Sequence, residues 1–164
     1  MPGQVRAQGR ALSQGRALSL KARALRYLSQ REHSRAELER KLAPHAQPEE
    51  DLSSLLDSLA LQGWLSDARF AQSLVHRRAS RYGIRRITAE LDSLGVAEAD
   101  SHAVLLELRQ SEAERAWQTW ARRFDGPPES PQEMARQQRF LFQRGYGAEV
   151  IRGVLQRARE AAPR

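Results

Sequence analysis

The feature that most limits what this chain can fold into is a set of helical landmarks that comes round three times in the same order. Arg23-Ala24-Leu25 with Leu28 matches Arg69-Phe70-Ala71 with Leu74, and Arg115-Ala116-Trp117 with Trp120, at steps of about 46 residues. Leu42, Leu91 and Leu141 correspond at steps of about 49 to 50. The trio Leu52, Leu55 and Leu56 then corresponds to Ser101, Val104 and Leu105, and to Ile151, Val154 and Leu155. Apolar residues at intervals of three and four mark one face of a helix, not of a strand. The pattern predicts an all-α protein of three tandem three-helix repeats, forming an elongated, curved helical body. Units this small bury their faces poorly alone, so neighbours are expected to pack end to end. The expected limits are a flexible basic arm over 1–18 and repeats over 19–65, 66–110 and 111–164.

Local signals set the helix ends. Ser19 is an N-cap candidate, and Ser34 with Glu37 forms a capping-box pattern. Pro44 should stop the helix that follows Ser34. Pro48 fits the first position of the next helix, with Glu49, Glu50 and Asp51 at its positive end. Gly63 is a C-terminal cap, Ser66 or Asp67 opens the next helix, Gly83 divides the two that follow, and Gly95 closes the second of them. Ser111 with Glu114 reads as another capping box, and Ser130-Pro131 with Glu133 combines a capping box with a proline at the first helical position. Gly145 ends that helix.

Charge is concentrated between Ser66 and Gly95. Arg77, Arg78, Arg81, Arg85 and Arg86 surround the Arg81-Tyr82-Gly83 elbow, and no Asp or Glu occurs from Ala68 to Ala89. A formal net charge of +7 over 164 residues calls for an acidic partner, either a nucleic acid or an acidic protein surface. Runs of arginine are also the ordinary solvated side of helices, so the local sequence leaves both readings open.

Other function classes find little support. Without cysteine there is no disulfide or thiolate metal site. No apolar run approaches the roughly 20 residues that span a bilayer, and the basic N-terminus lacks a signal-peptide core, so a cytosolic protein is expected. No glycine-rich phosphate loop is present, and His33, His45, His76 and His102 are scattered, with no two at i and i+4. The expectation is a non-enzyme with no cofactor and no metal. Trp117, Trp120 and Phe124 share a helical face and are read as core, Trp64 as packing at the joint between repeats, and Tyr82 as the aromatic open to a nucleic-acid or protein contact.

From Gly63 the pattern Gly63-Trp64-Leu65-Ser66-Asp67, Arg69-Phe70-Ala71, Gly83-Ile84-Arg85-Arg86-Ile87, Glu90-Leu91 and Gly95 resembles the central repeat of the RecX regulatory proteins. Ala22-Arg23-Ala24-Leu25, Ser34-Arg35, Glu37-Leu38 and Lys41-Leu42 resemble the first repeat, and Arg139-Phe140-Leu141 with Arg144-Gly145-Tyr146 the third. Trp64 replaces the more usual tyrosine, Ser66 stands where an acid is common, and Gln137 and Gln138 make the last repeat's second helix more polar than the family pattern. The resemblance implies a modulator, usually inhibitory, of the RecA recombinase in DNA repair, recombination and the SOS response. Such a protein binds the recombinase filament on single-stranded DNA, lies along its groove, and restrains ATP hydrolysis and strand exchange. A monomer with at most weak direct DNA binding is expected. Arg77, Arg78, Arg81, Arg85 and Arg86 would then form the main binding surface, with Tyr82, Arg136, Arg139 and Arg144 contributing. The alternatives are a stand-alone basic helical DNA-binding module, or a helical scaffold whose arginines only keep it soluble.

Overall fold

The computed structural model describes residues 18–162, and among them every regular element is helical. The first unit holds α1 (Leu20–Gln30), α2 (Arg35–Leu42) and α3 (Leu52–Leu61); the second α4 (Asp67–Arg78), α5 (Ile84–Ser93) and α6 (Glu98–Gln110); the third α7 (Glu112–Ala121), α8 (Pro131–Gln143) and α9 (Ala148–Ala161). The expected basic arm, apart from Leu18, lies outside the described residues.

The starts of α1, α2, α4 and α8 follow from serine capping. Ser19, Ser34, Ser66 and Ser130 each accept a hydrogen bond from the backbone N–H three residues on, supplying one of the partners that a helix start lacks. Three other readings are corrected. Pro48 does not open α3: the chain turns there, and Asp51 caps a helix that starts at Leu52. A carboxylate cap outweighs the preference for proline at the first position. Ser111 makes no capping box, because α6 runs almost directly into α7 and its hydroxyl donates back to the Leu108 carbonyl. Trp64 is 55% exposed instead of packing the joint. It follows the turn at Gly63, where no helical period fixes its direction.

Each unit has its own core. Leu38, Leu42, Leu56 and Leu59 fill the first; Phe70, Leu74, Ile87 and Leu91 the second; Trp120, Leu141, Tyr146 and Val154 the third. The polar Gln137 fits this last core because both ends of its amide are used. Its oxygen accepts from Trp120 Nε1 at 2.7 Å, and its nitrogen donates to the Gly126 carbonyl at 3.1 Å.

Neighbouring units are joined twice by one device. The start of a unit's second helix meets the glycine turn that closes the next unit's second helix. An acid at the start of the next unit's first helix accepts its first N–H. At the first joint Ser34 Oγ donates to the Leu94 carbonyl and Arg35 N–H to Asp67 Oδ1, both at 2.7 Å. At the second, Gly83 N–H donates to the Arg144 carbonyl at 2.8 Å, Arg85 N–H to the Gly145 carbonyl at 3.2 Å, and Ile84 N–H to Glu112 Oε1 at 2.9 Å. A Cβ on Gly83 would land on the Gly145 carbonyl, so only glycine permits this approach. In the third unit the matching position is Pro131, which has no backbone N–H to donate.

Candidate nucleic-acid interface

The second joint brings the C-terminal ends of α4, α7 and α8 together. Arg122 and Arg144 are the residues that close α7 and α8, and Arg81 follows α4. A helix C-terminus carries partial negative charge, so it favours cations at these positions. The result is a hollow of about 540 Å³ lined by Arg81, Arg122, Arg123 and Arg144, with Ser80, Tyr82, Thr119 and Phe140 between them. The lining has no carboxylate, and among the described residues none of these four guanidinium groups has a carboxylate oxygen within 4 Å. Arg122 is steadied by the Ser80 carbonyl at 3.0 Å.

Aromatic rings alternate with the cations around this basin. Arg144 lies 4.6 Å from the Phe140 ring centroid and Arg86 lies 4.1 Å from that of Tyr82. Phe124 meets Phe140 edge-on at 5.2 Å, with Arg123 and Arg136 at 5.7 and 5.9 Å from the Phe124 ring. Such contacts orient guanidinium groups while leaving their N–H donors available to an anion. Beneath the elbow Arg115 donates to the Ala79, Tyr82 and Leu108 carbonyls, all at 2.9 to 3.1 Å. Burial pulls its guanidinium below the ordinary arginine value, with Tyr146 and Glu112 opposing that shift. Its role is to hold the elbow, not to face outward.

The expected residues divide into groups. Arg81, Tyr82 and Arg144 line the basin, and Arg86 covers the Tyr82 ring. Arg136 touches the Phe124 ring but lies in a neighbouring hollow that it shares with Asp125, Glu129 and Glu133. Tyr82 is half-buried against the second core, which limits its ring as a stacking platform. Arg85 and Arg139 lie toward Phe142 instead. Arg77 is exposed and does not line the basin. Arg78 does not join the set: Glu90 accepts from it at 2.8 to 3.1 Å, and this hydrogen-bonded carboxylate raises its pKa. The acid-free run ends one residue before that partner. Sequence reasoning missed Arg122 and Arg123. Their signal was an arginine pair just beyond Trp120, in a segment read only for its aromatic face.

Comparison with known proteins gives a consistent picture. Models of the RecX first, second and third three-helix domains match residues 21–59, 66–105 and 110–155. The chain is 52% identical over 141 residues to the regulatory protein RecX of Leptothrix cholodnii, covering 86% of this chain and 90% of that protein. It is 50% identical over 141 residues to the regulatory protein RecX of Ralstonia nicotianae, covering 86% and 89% respectively. The crystal structure of RecX from Lactobacillus salivarius superposes with a TM-score of 0.75 at 20% identity, covering 86% of this chain and 95% of that one. At that identity the superposition shows the shared fold.

Proposed function

The chain belongs to the RecX family of regulatory proteins, and from that premise we propose that it is a non-catalytic regulator of the RecA recombinase. On this reading it binds the filament on single-stranded DNA, lies along the filament groove, and restrains ATP hydrolysis and strand exchange. The observation that carries the proposal is the basin at the second joint. Four guanidinium groups surround one hollow without an internal counter-charge, so their mutual repulsion is relieved when phosphate or carboxylate enters. Arginine forks suit both anions, and a filament surface offers both. The proposed binding residues are Arg81, Arg122, Arg123 and Arg144, with Arg86 at the margin.

The test is the single-stranded-DNA-dependent ATPase rate of the cognate recombinase, with this protein titrated from well below equimolar. A fall at substoichiometric amounts is expected. A folded Arg81→Ala, Arg122→Ala, Arg144→Ala variant should inhibit much less, and the salt dependence of its filament binding should flatten by about 0.7 in log–log slope for each phosphate it no longer neutralises. Undiminished inhibition by that variant would remove the basin from the binding surface. No inhibition by the wild type, together with no binding to pre-formed filaments, would favour a stand-alone DNA-binding module.

A further inference from the structure

α8 lines a second hollow on another of its faces. Met134, Gln137 and Leu141 join or support the third core, and Phe140 and Arg144 reach the basin. Ala135, Gln138, Arg139 and Phe142, spaced as one helical stripe, line a separate groove of about 520 Å³ with Ala148, Ile151 and Arg152 of α9. The groove is mostly carbon-lined. Phe142, 55% exposed, is its largest apolar group. Its margin is cationic: Arg139 and Arg152 belong to the lining, and the Arg85 guanidinium lies 4.9 Å from the Phe142 ring centroid. The carboxylate beside Arg152 is Glu149, at 3.9 Å and almost fully exposed, so it neutralises that arginine weakly.

We propose that this groove docks an acidic amphipathic segment of a partner protein, seating a large apolar side chain against Phe142 while carboxylates pair with Arg85, Arg139 and Arg152. Two features select this occupant. The apolar floor rewards removal of carbon from water, which a phosphodiester backbone does not supply. The arginine margin requires negative charge beside that apolar group, which an uncharged hydrophobic peptide lacks. This assignment goes beyond the basin reading: one face of α8 takes protein, while the opposing arginines at the second joint take the polyanion.

The experiment uses the full chain and a fluorescein-labelled synthetic peptide of roughly 15 residues, long enough for about four helical turns. Phe and Leu stand at i and i+4 on one face of the peptide, and glutamates flank that face on both sides. Fluorescence anisotropy should show saturable binding, weakened about tenfold by Phe142→Ala and by Arg139→Glu and unchanged by Arg122→Ala with Arg144→Ala. Circular dichroism verifies that each variant is folded, and Phe142→Leu should restore part of the affinity. The glutamine version of the peptide should lose binding. The proposal is overturned by no saturable binding, by unchanged affinity in folded Phe142→Ala, or by equal binding of the glutamine peptide. It is also overturned by displacement of the peptide by oligothymidylate, or by self-association that Phe142→Ala abolishes, which would make the groove a contact for DNA or for a second copy. Because the ATPase test turns on basin variants and this one on Phe142 and Arg139, either reading can fail alone.

Discussion

At the first joint Arg31 is held by Glu37, Arg35 by Asp57 and Arg69 by Glu32; at the second, Arg81, Arg122, Arg123 and Arg144 share one hollow with no carboxylate in its lining. The backbone plan is the same in both places, with a helix start against a glycine turn and an acid accepting the first N–H. Repetition therefore accounts for the architecture, and departure from repetition marks the candidate site. The third residue of the second helix makes this plain: it is Glu37 in the first unit, Arg86 in the second and Glu133 in the third. An acid there suits the positive end of the helix, whereas Arg85 and Arg86 oppose it. The two arginines instead reach across the joint, Arg85 to the Phe142 ring and Arg86 to the Gln143 carbonyl while covering the Tyr82 ring. A local rule broken in this way is expected at a functional surface.

The largest effect should come from the close approach at the second joint. Gly83→Ala places a methyl group on the Gly145 carbonyl and should cost about 3 kcal/mol through forced separation of the units. Its counterpart at the first joint already has a side chain. Ser34→Ala should cost only about 1 to 2 kcal/mol for the lost cap, with the Leu94 carbonyl also losing its donor. Chemical denaturation of the two variants compares them directly. Equal losses would show that the two joints are not packed as differently as their residues imply.

Arg86→Glu turns the second unit's helix start into the kind found in the other two. The acid is worth about 0.3 to 1 kcal/mol at the helix start, but losing the cation over Tyr82 and its hydrogen bond to the Gln143 carbonyl offsets that gain. Stability should therefore change little, while the anion added beside the basin weakens filament binding. A nearly unchanged melting temperature with lost affinity would show that Arg86 acts through its charge and not through the fold. Unchanged affinity would confine the binding surface to the basin lining.

The smallest effect is a pH dependence seated at the first joint. His33 is buried, with its Nδ1 3.0 Å from the Arg31 carbonyl and its Nε2 3.0 Å from Lys41 Nζ. The ring therefore fits best as a neutral tautomer that donates through Nδ1 and accepts from lysine through Nε2. Burial lowers its pKa, and the neighbouring Arg31 and Lys41 charges act in the same direction, against the Arg31 carbonyl and Glu37. Its folded pKa thus lies below its unfolded one, so the unfolded chain takes up the proton first as pH falls. This contribution to stability is complete above the usual imidazole range. It declines as pH drops through about 6.5 toward the lower folded value. Melting temperature measured between neutral and mildly acidic pH should fall less in His33→Gln than in the wild type.

Much of the fold was legible in the sequence because helical period and serine caps are local. The threefold landmarks place the core leucines, and Ser19, Ser34, Ser66 and Ser130 cap as their neighbours indicate. The local signals failed where two of them competed, as Pro48 did with Asp51, or where helices ran together, as at Ser111. The candidate site was legible only in part. Arg81, Tyr82 and Arg144 were marked by the cationic elbow and its family pattern, but Arg122 and Arg123 were not, and Arg78 was included although Glu90 holds it.

The sequence by itself determined that this chain makes three helical units with an excess of arginine, because helix period, capping and net charge depend on residues near one another along the chain. Only the tertiary structure decided which arginines come together. Arg81, Arg122 and Arg144 sit at the ends of three different helices and meet only when Gly83 closes on Gly145. Counter-charge is likewise settled by distance in space: Glu90 cancels Arg78 from the neighbouring helix, while among the described residues no carboxylate pairs with the basin arginines.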